Sequence, residues 1–128
     1  MAIRFDADKQ RFTLETANTQ YVFDLGLGKF LVHRHYGVKV EESDFFPELA
    51  YRSGSPYEAG SDPRFSMNDK CSEFAFFGNS NFGASAMKLR APAGDCCTRF
   101  EYRGHEIFAG RRVIETMPSA RAQEDTET

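Results

Sequence analysis

The feature that most restricts what this chain can fold into is an apolar alternation of period two. Phe12 and Leu14 alternate with Arg11, Thr13 and Glu15; Tyr21, Phe23 and Leu25 repeat the pattern, and Phe30 and Val32 carry it on to Tyr36. Successive side chains on a strand point to opposite faces, so the pattern predicts strands that each bury one face. Ala17-Asn18-Thr19 and Gly26-Leu27-Gly28-Lys29 separate them with turn-forming residues, which makes an antiparallel meander. Strand-like pieces return at Ala84–Leu89, Thr98–Phe108 and Arg111–Ile114. Between them, Ala91-Pro92-Ala93-Gly94-Asp95 reads as a hairpin turn and Ala109-Gly110 as another. Gly or Pro interrupts every candidate helix of three turns. The class is all-β, an antiparallel β-sandwich rather than a barrel.

The middle of the chain departs from this pattern. From about residue 41 to 69 it holds Pro47, Pro56 and Pro63 with Gly54 and Gly60, interleaved with Phe45, Phe46, Tyr51, Tyr57 and Phe65. That predicts one long irregular loop ordered by packing on something, and such loops are more often functional than idle. Five aromatics left in water would form a patch larger than monomers tolerate, so the loop is expected to promote self-association or to be the most mobile part. With 128 residues there is room for one domain, placed at 1–118. The polar, acidic stretch 119–128 is expected to fray.

Charge and hydropathy exclude several classes. A net charge of −3 and a pI near 5.6 do not suit a nucleic-acid binder, which needs clustered basic side chains. No run of 18 apolar residues is present, so no membrane-spanning helix is expected. The opening MAIRFDADKQRF has no apolar core of a signal peptide, and a cytoplasmic home is the default expectation. Three cysteines, Cys71 and the adjacent Cys96-Cys97, match reduced thiols rather than a disulfide framework.

Four constellations suggest chemistry. His33 and His35, two apart on a strand, would share a face, and with His105 could form a three-histidine zinc site. The plainer reading is histidines bonded to neighbours or water, with no metal. Cys96 or Cys97 as a nucleophile would need a base and a lowered pKa, whereas most buried cysteines are inert filler. Glu58, Asp62 and Asp69 share the aromatic loop, and aromatics beside acids suit a sugar; loop acids more often cap turns. Gly26-Leu27-Gly28-Lys29 lacks the spacing of a phosphate-binding loop and joins strand to strand.

The loop and its flanks carry a resemblance. FSMNDKCSEFAFFGNSNFGASA, residues 65–86, resembles the pattern FSLDTLPQEYPxYGxGDFRxPA of family 36 α-galactosidases, with Phe65, Ser66, Glu73, Gly78, Phe82 and Ala86 at matching positions. SPYEAGSDPRFS before it, FLVHRHYGVKV and the opening MAIRFDADKQRFTLETANTQYVF earlier, and RFEYRGHEIFAGRRVIETMPSA after it resemble further family segments in the same order. The likeness covers essentially the whole chain.

The resemblance implies an N-terminal β-sandwich, part of a supersandwich, ahead of a (β/α)8 barrel that carries both catalytic aspartates. It implies retaining hydrolysis of terminal α-galactosides without metal or cofactor. No barrel of about 250 residues fits here, so this chain alone is expected to be non-catalytic. By position, the resemblance implies that Phe46 and Arg64 lie near the sugar in a neighbouring subunit's active site, within a homo-oligomer. The family's loop aspartate corresponds to Ala50, which cannot bond a hydroxyl. Its acidic GDFR falls in Asn79-Ser80-Asn81-Phe82-Gly83, without the aspartate or arginine, its proline is Ser85 and its tyrosine-tryptophan pair is His35-Tyr36, marking a diverged copy. His33 and His105 fall where this metal-free family has histidine. The expected partners are the barrel, a second copy and an α-galactoside; the alternative is a free-standing galactoside-binding module.

Overall fold

A computed structural model describes residues 2–45, 66–78, 81, 83–110, 116 and 118. Four strands form one antiparallel sheet in sequence order: β1 Ala2–Asp6, β2 Arg11–Glu15, β3 Thr19–Leu25 and β4 Leu31–Val38. The expected meander is present, and local chemistry explains its turns. The Asp6 carboxylate accepts from the backbone N–H groups of Asp8 and Lys9, closing the first turn. Thr16 Oγ1 accepts from the N–H groups of Asn18 and Thr19 at the second. The third is a short 3-10 turn over Leu27–Lys29, where Gly28 has φ 76° and lies against the Phe30 ring. A β-carbon there would come within 2.5 Å of that ring, so glycine is required by both conformation and space. This is the GLGK stretch, and it joins strand to strand as expected.

The burial of β3 differs from the sequence expectation. Gln20, Val22 and Asp24 are its buried residues, while Tyr21, Phe23 and Leu25 are half-buried. Both faces of the sheet are covered, so one-faced alternation underestimates what the polar face does. On the aromatic face Phe5, Phe12 and Phe23 stack across three strands, with centroids 4.5 Å and 4.9 Å apart. Tyr102 and His105 lie edge-on over Phe12. On the opposite face Asp24 receives the guanidinium groups of Arg11 and Arg34, each at 2.6 Å. Arg11 also reaches Glu42, which Lys9 contacts as well.

The β3–β4 pairing shifts register between Val22 and Phe23. Phe23 pairs with His33 and Val22 with His35, so the bulge sets these histidines on opposite faces. The expectation of a shared face therefore fails, because an extra residue, Arg34, breaks the alternation between them.

Beyond the loop the chain returns to the edge of β4. The His33 N–H donates to the Cys71 carbonyl at 2.7 Å, and the Glu73 N–H to that of Leu31 at 3.0 Å. Phe30, Met67 and Phe76 form a buried cluster at this end of the sheet, with Phe100 packed against it. The hairpin turn at 91–95 is formed, with Ala91 N–H on the Asp95 carbonyl and Gly94 at φ 94°. Its arms, expected as strands Ala84–Leu89 and Thr98–Phe108, form no ladder. Bends at Ala86 and Met87 break the first. The second is straight but meets its neighbours through isolated bonds to the carbonyls of Phe77 and Lys29, which lie outside strands. The stretches 111–114 and 119–128 lie outside the described residues. The class is all-β, with a sheet as one layer and the segments around Glu73 and Phe100–His105 lying over its aromatic face. Among the described residues no helix is long and apolar enough to cross a membrane.

Candidate functional site

Glu73 gathers the most polar side chains on the aromatic face. One of its oxygens accepts from the Tyr21 hydroxyl and the other lies 2.5 Å from His33 Nδ1. The strands bring Tyr21 and His33 to the same face, and the bridge at 71–73 delivers Glu73 to them. Burial pushes the Tyr21 phenol well above its ordinary range, and the bond to the charged Glu73 adds to this. Tyr21 therefore stays protonated as a donor. Tyr36 stands edge-on to Tyr21 with its own ring largely exposed. The constellation contains one carboxylate, whereas acid–base cleavage of a glycoside needs two facing each other. Its geometry suits a clasp between the loop's far end and the sheet.

The near end of the loop is fixed on the opposite face. Glu42 binds Lys9 and Arg11, and Phe45 stacks on His35 at 5.8 Å with the Arg11 guanidinium 5.1 Å from its ring. Phe45 has thus folded back on the sheet. At the far end Ser66 Oγ accepts from the Asn68 N–H, and Ser66, Met67 and Asp69 are all buried. Both feet of the loop are therefore held. Phe46, Arg64, Ala50, Glu58 and Asp62 lie outside the described residues, as do Tyr51, Tyr57 and Phe65.

The three histidines are engaged separately. His33 is on Glu73, His35 Nε2 donates to the Val38 carbonyl at 2.7 Å, and His105 packs on Phe5 and Phe12 with Nδ1 at the Tyr102 hydroxyl. No group of three metal-ligating side chains occurs among the described residues. Elemental analysis of chelator-free protein is expected to show well under one zinc per chain. A full equivalent that disappears in His35→Ala would overturn this.

Cys71, Cys96 and Cys97 are free thiols and exposed. None has a hydrogen-bonded base among the described residues. Sequence reasoning missed the Tyr21–Glu73–His33 cluster and the Arg11–Asp24–Arg34 network. The signal for the second was legible: Arg11 and Asp24 sit at paired positions of adjacent strands.

Residues 29–128 match the family model of the glycosyl hydrolase family 36 N-terminal domain. The chain is 30% identical over 127 residues to the bifunctional alpha-galactosidase/sucrose kinase AgaSK of Mediterraneibacter gnavus, covering 97% of this chain and 14% of that protein. It is 26% identical to alpha-galactosidase AgaA of Geobacillus stearothermophilus, covering 99% of this chain and 18% of the relative. The solved galactosidase domain of AgaSK superposes with a TM-score of 0.82 at 28% identity, over 96% of this chain and 18% of the other. The chain thus spans less than a fifth of the length of these relatives. A matched N-terminal-domain model over most of the chain, and a fold that follows solved relatives nearly end to end, place it in the glycosyl hydrolase family 36 N-terminal domain family.

Proposed function

We propose that this chain is the non-catalytic N-terminal domain of an α-galactosidase-like glycoside hydrolase. In this reading a catalytic barrel elsewhere performs retaining hydrolysis of terminal α-galactosides, and the domain supports subunit assembly and lines a neighbouring active site. The observation that carries it is the family match over residues 29–128. The small share of the relatives' length that the chain spans leaves ample room in them for a barrel of about 250 residues. The residues on either side of 46–65 are held, with Phe45 packed on the sheet and Ser66 buried, which suits a loop presented from fixed feet. Three free thiols suit a reducing, cytoplasmic compartment.

The isolated chain is expected to release nothing from an activated aryl α-galactoside at high protein concentration. Turnover that survives repurification would sink the non-catalytic reading. In a polypeptide that also carries the barrel, Phe46→Ala and Arg64→Ala are each expected to raise KM about tenfold, through lost sugar contacts. Unchanged kinetics in both variants would remove the active-site role.

A further inference from the structure

A cleft of about 540 Å³ opens where β1 and β2 meet residues 40–45. That volume is in the range of small-molecule sites. Strand pairing explains its floor. Asp6 pairs with Arg11 and Arg4 with Thr13, and residues two apart on a strand share a face. All four therefore stand on the face that bears the Arg11–Asp24 network. The 40–45 segment flanks them: Glu42 bridges Lys9 and Arg11, and the Val40 N–H donates to Gln20 Oε1. Phe45, half-buried against the Arg11 guanidinium, adds an apolar wall.

Six charged side chains line the cleft, Arg4, Lys9 and Arg11 against Asp6, Glu41 and Glu42, three of each sign. A balanced lining selects neither an anion nor a cation by net charge. Some of these groups hold one another: Arg11 binds Asp24 and Glu42, and Lys9 binds Glu42. Others keep capacity for a ligand. Among the described residues the Glu41 carboxylate and the Thr13 hydroxyl have no hydrogen-bond partner. Asp6 bonds through one of its two oxygens, and Arg4 commits part of a five-donor guanidinium to Glu15. Acceptors and donors thus remain open side by side.

We propose that this cleft binds a neutral polyol of monosaccharide size. Each hydroxyl of such a ligand both donates and accepts, which matches Arg4 and Thr13 as donors beside Asp6 and Glu41 as acceptors. Its apolar C–H side has the Phe45 ring to pack on. Arg11 and Gln20 are already ordered by bonds within the chain, so binding immobilises few further side chains. The cleft uses neither Phe46 nor Arg64, and the proposal stands whether or not the α-galactosidase reading does.

The test is an amide NMR titration of the full chain with methyl α-glucoside, a polyol that is not an α-galactoside. The Arg4, Thr13, Gln20 and Val40 amides are expected to shift together and saturate, with a Kd on the order of 1 mM, the scale for so small a ligand. Citrate and spermidine, at matched ionic strength, should give no saturable shift there. Thr13→Val and Glu41→Gln each remove a group that has no partner in the free chain, so urea midpoints should stay at the wild-type value. Each variant is nevertheless expected to weaken sugar binding about fivefold, by loss of one hydrogen bond. No saturable shift at ten times that concentration would overturn the proposal. So would shifts confined to other parts of the chain, binding of citrate or spermidine as tight as that of the sugar, or undiminished affinity in both variants.

Discussion

Replacing Asp24 by alanine is expected to lower the unfolding free energy by about 3–5 kcal/mol, the range for removing one partner of a buried ion pair. The Asp24 side chain is 9% exposed, and those of Arg11 and Arg34 are 14% and 16% exposed. Removing the carboxylate leaves two guanidinium groups partly desolvated without their shared counter-charge. Folded domains hold only about 5–15 kcal/mol in all, so the loss is a large fraction of the total. Asp24→Asn keeps one acceptor oxygen in place and should lose less. The pH dependence follows from the direction of the shift. Burial pulls the Asp24 carboxyl upward, but the hydrogen bonds from Arg11 and Arg34 and their charges outweigh it, and the group is held below the ordinary carboxylate range. A group depressed in the folded state contributes stability above its unfolded pKa of about 3.9 and loses it as pH falls through the folded value. Urea midpoints should therefore fall below about pH 4 in wild type, and this fall should be shallower in Asp24→Ala. A variant with the wild-type midpoint at neutral pH, or with an undiminished acid slope, would show that the network does not hold the sheet.

Phe76→Ala is expected to cost about 3–5 kcal/mol by creating a cavity in the buried cluster. Phe76 is 1% exposed, with its ring 5.4 Å from that of Phe30 and 6.1 Å from that of Phe100. It joins three separate parts of the chain: the turn before β4, the return from the loop and the straight segment after the hairpin. Among the described residues the segments after the loop contain no strand, so side-chain packing of this kind adds to the few backbone bonds that attach them. The effect should therefore be larger locally than in the β1–β3 meander. Amide exchange separates the two. The His33 and Glu73 amides, bonded across to the carbonyls of Cys71 and Leu31 respectively, should lose about a hundredfold in protection, more than the amides that join β2 to β3. Equal protection in variant and wild type would mean that the edge of β4 holds this segment without Phe76.

Much of the fold was legible because its first third is local. Each strand of the meander pairs with its sequence neighbour, so period-two patterning and turn residues suffice to place Arg11–Glu15, Thr19–Leu25 and Leu31–Val38. The hairpin turn at 91–95 was legible for the same reason, since Gly94 supplies the positive φ that the turn needs. The family was legible through the resemblance that Phe65, Ser66, Glu73 and Gly78 carry to a known family pattern, because such a likeness lies in the chain and not in its packing. Three matters were decided only in three dimensions. His33 and His35 face opposite ways because a bulge inserts one residue, and nothing in the local pattern marks where pairing slips. Ala84–Leu89 and Thr98–Phe108 carry strand-like residues yet form no ladder, because a strand exists only where a neighbour offers a matching edge. Glu73 meets Tyr21 and His33 across separations of 52 and 40 residues, a contact set by where the loop's far end lands on β4. Periodicity and turn residues determined the sheet and a resemblance of motifs pointed to the family, while the face each polar residue serves was decided by long-range packing.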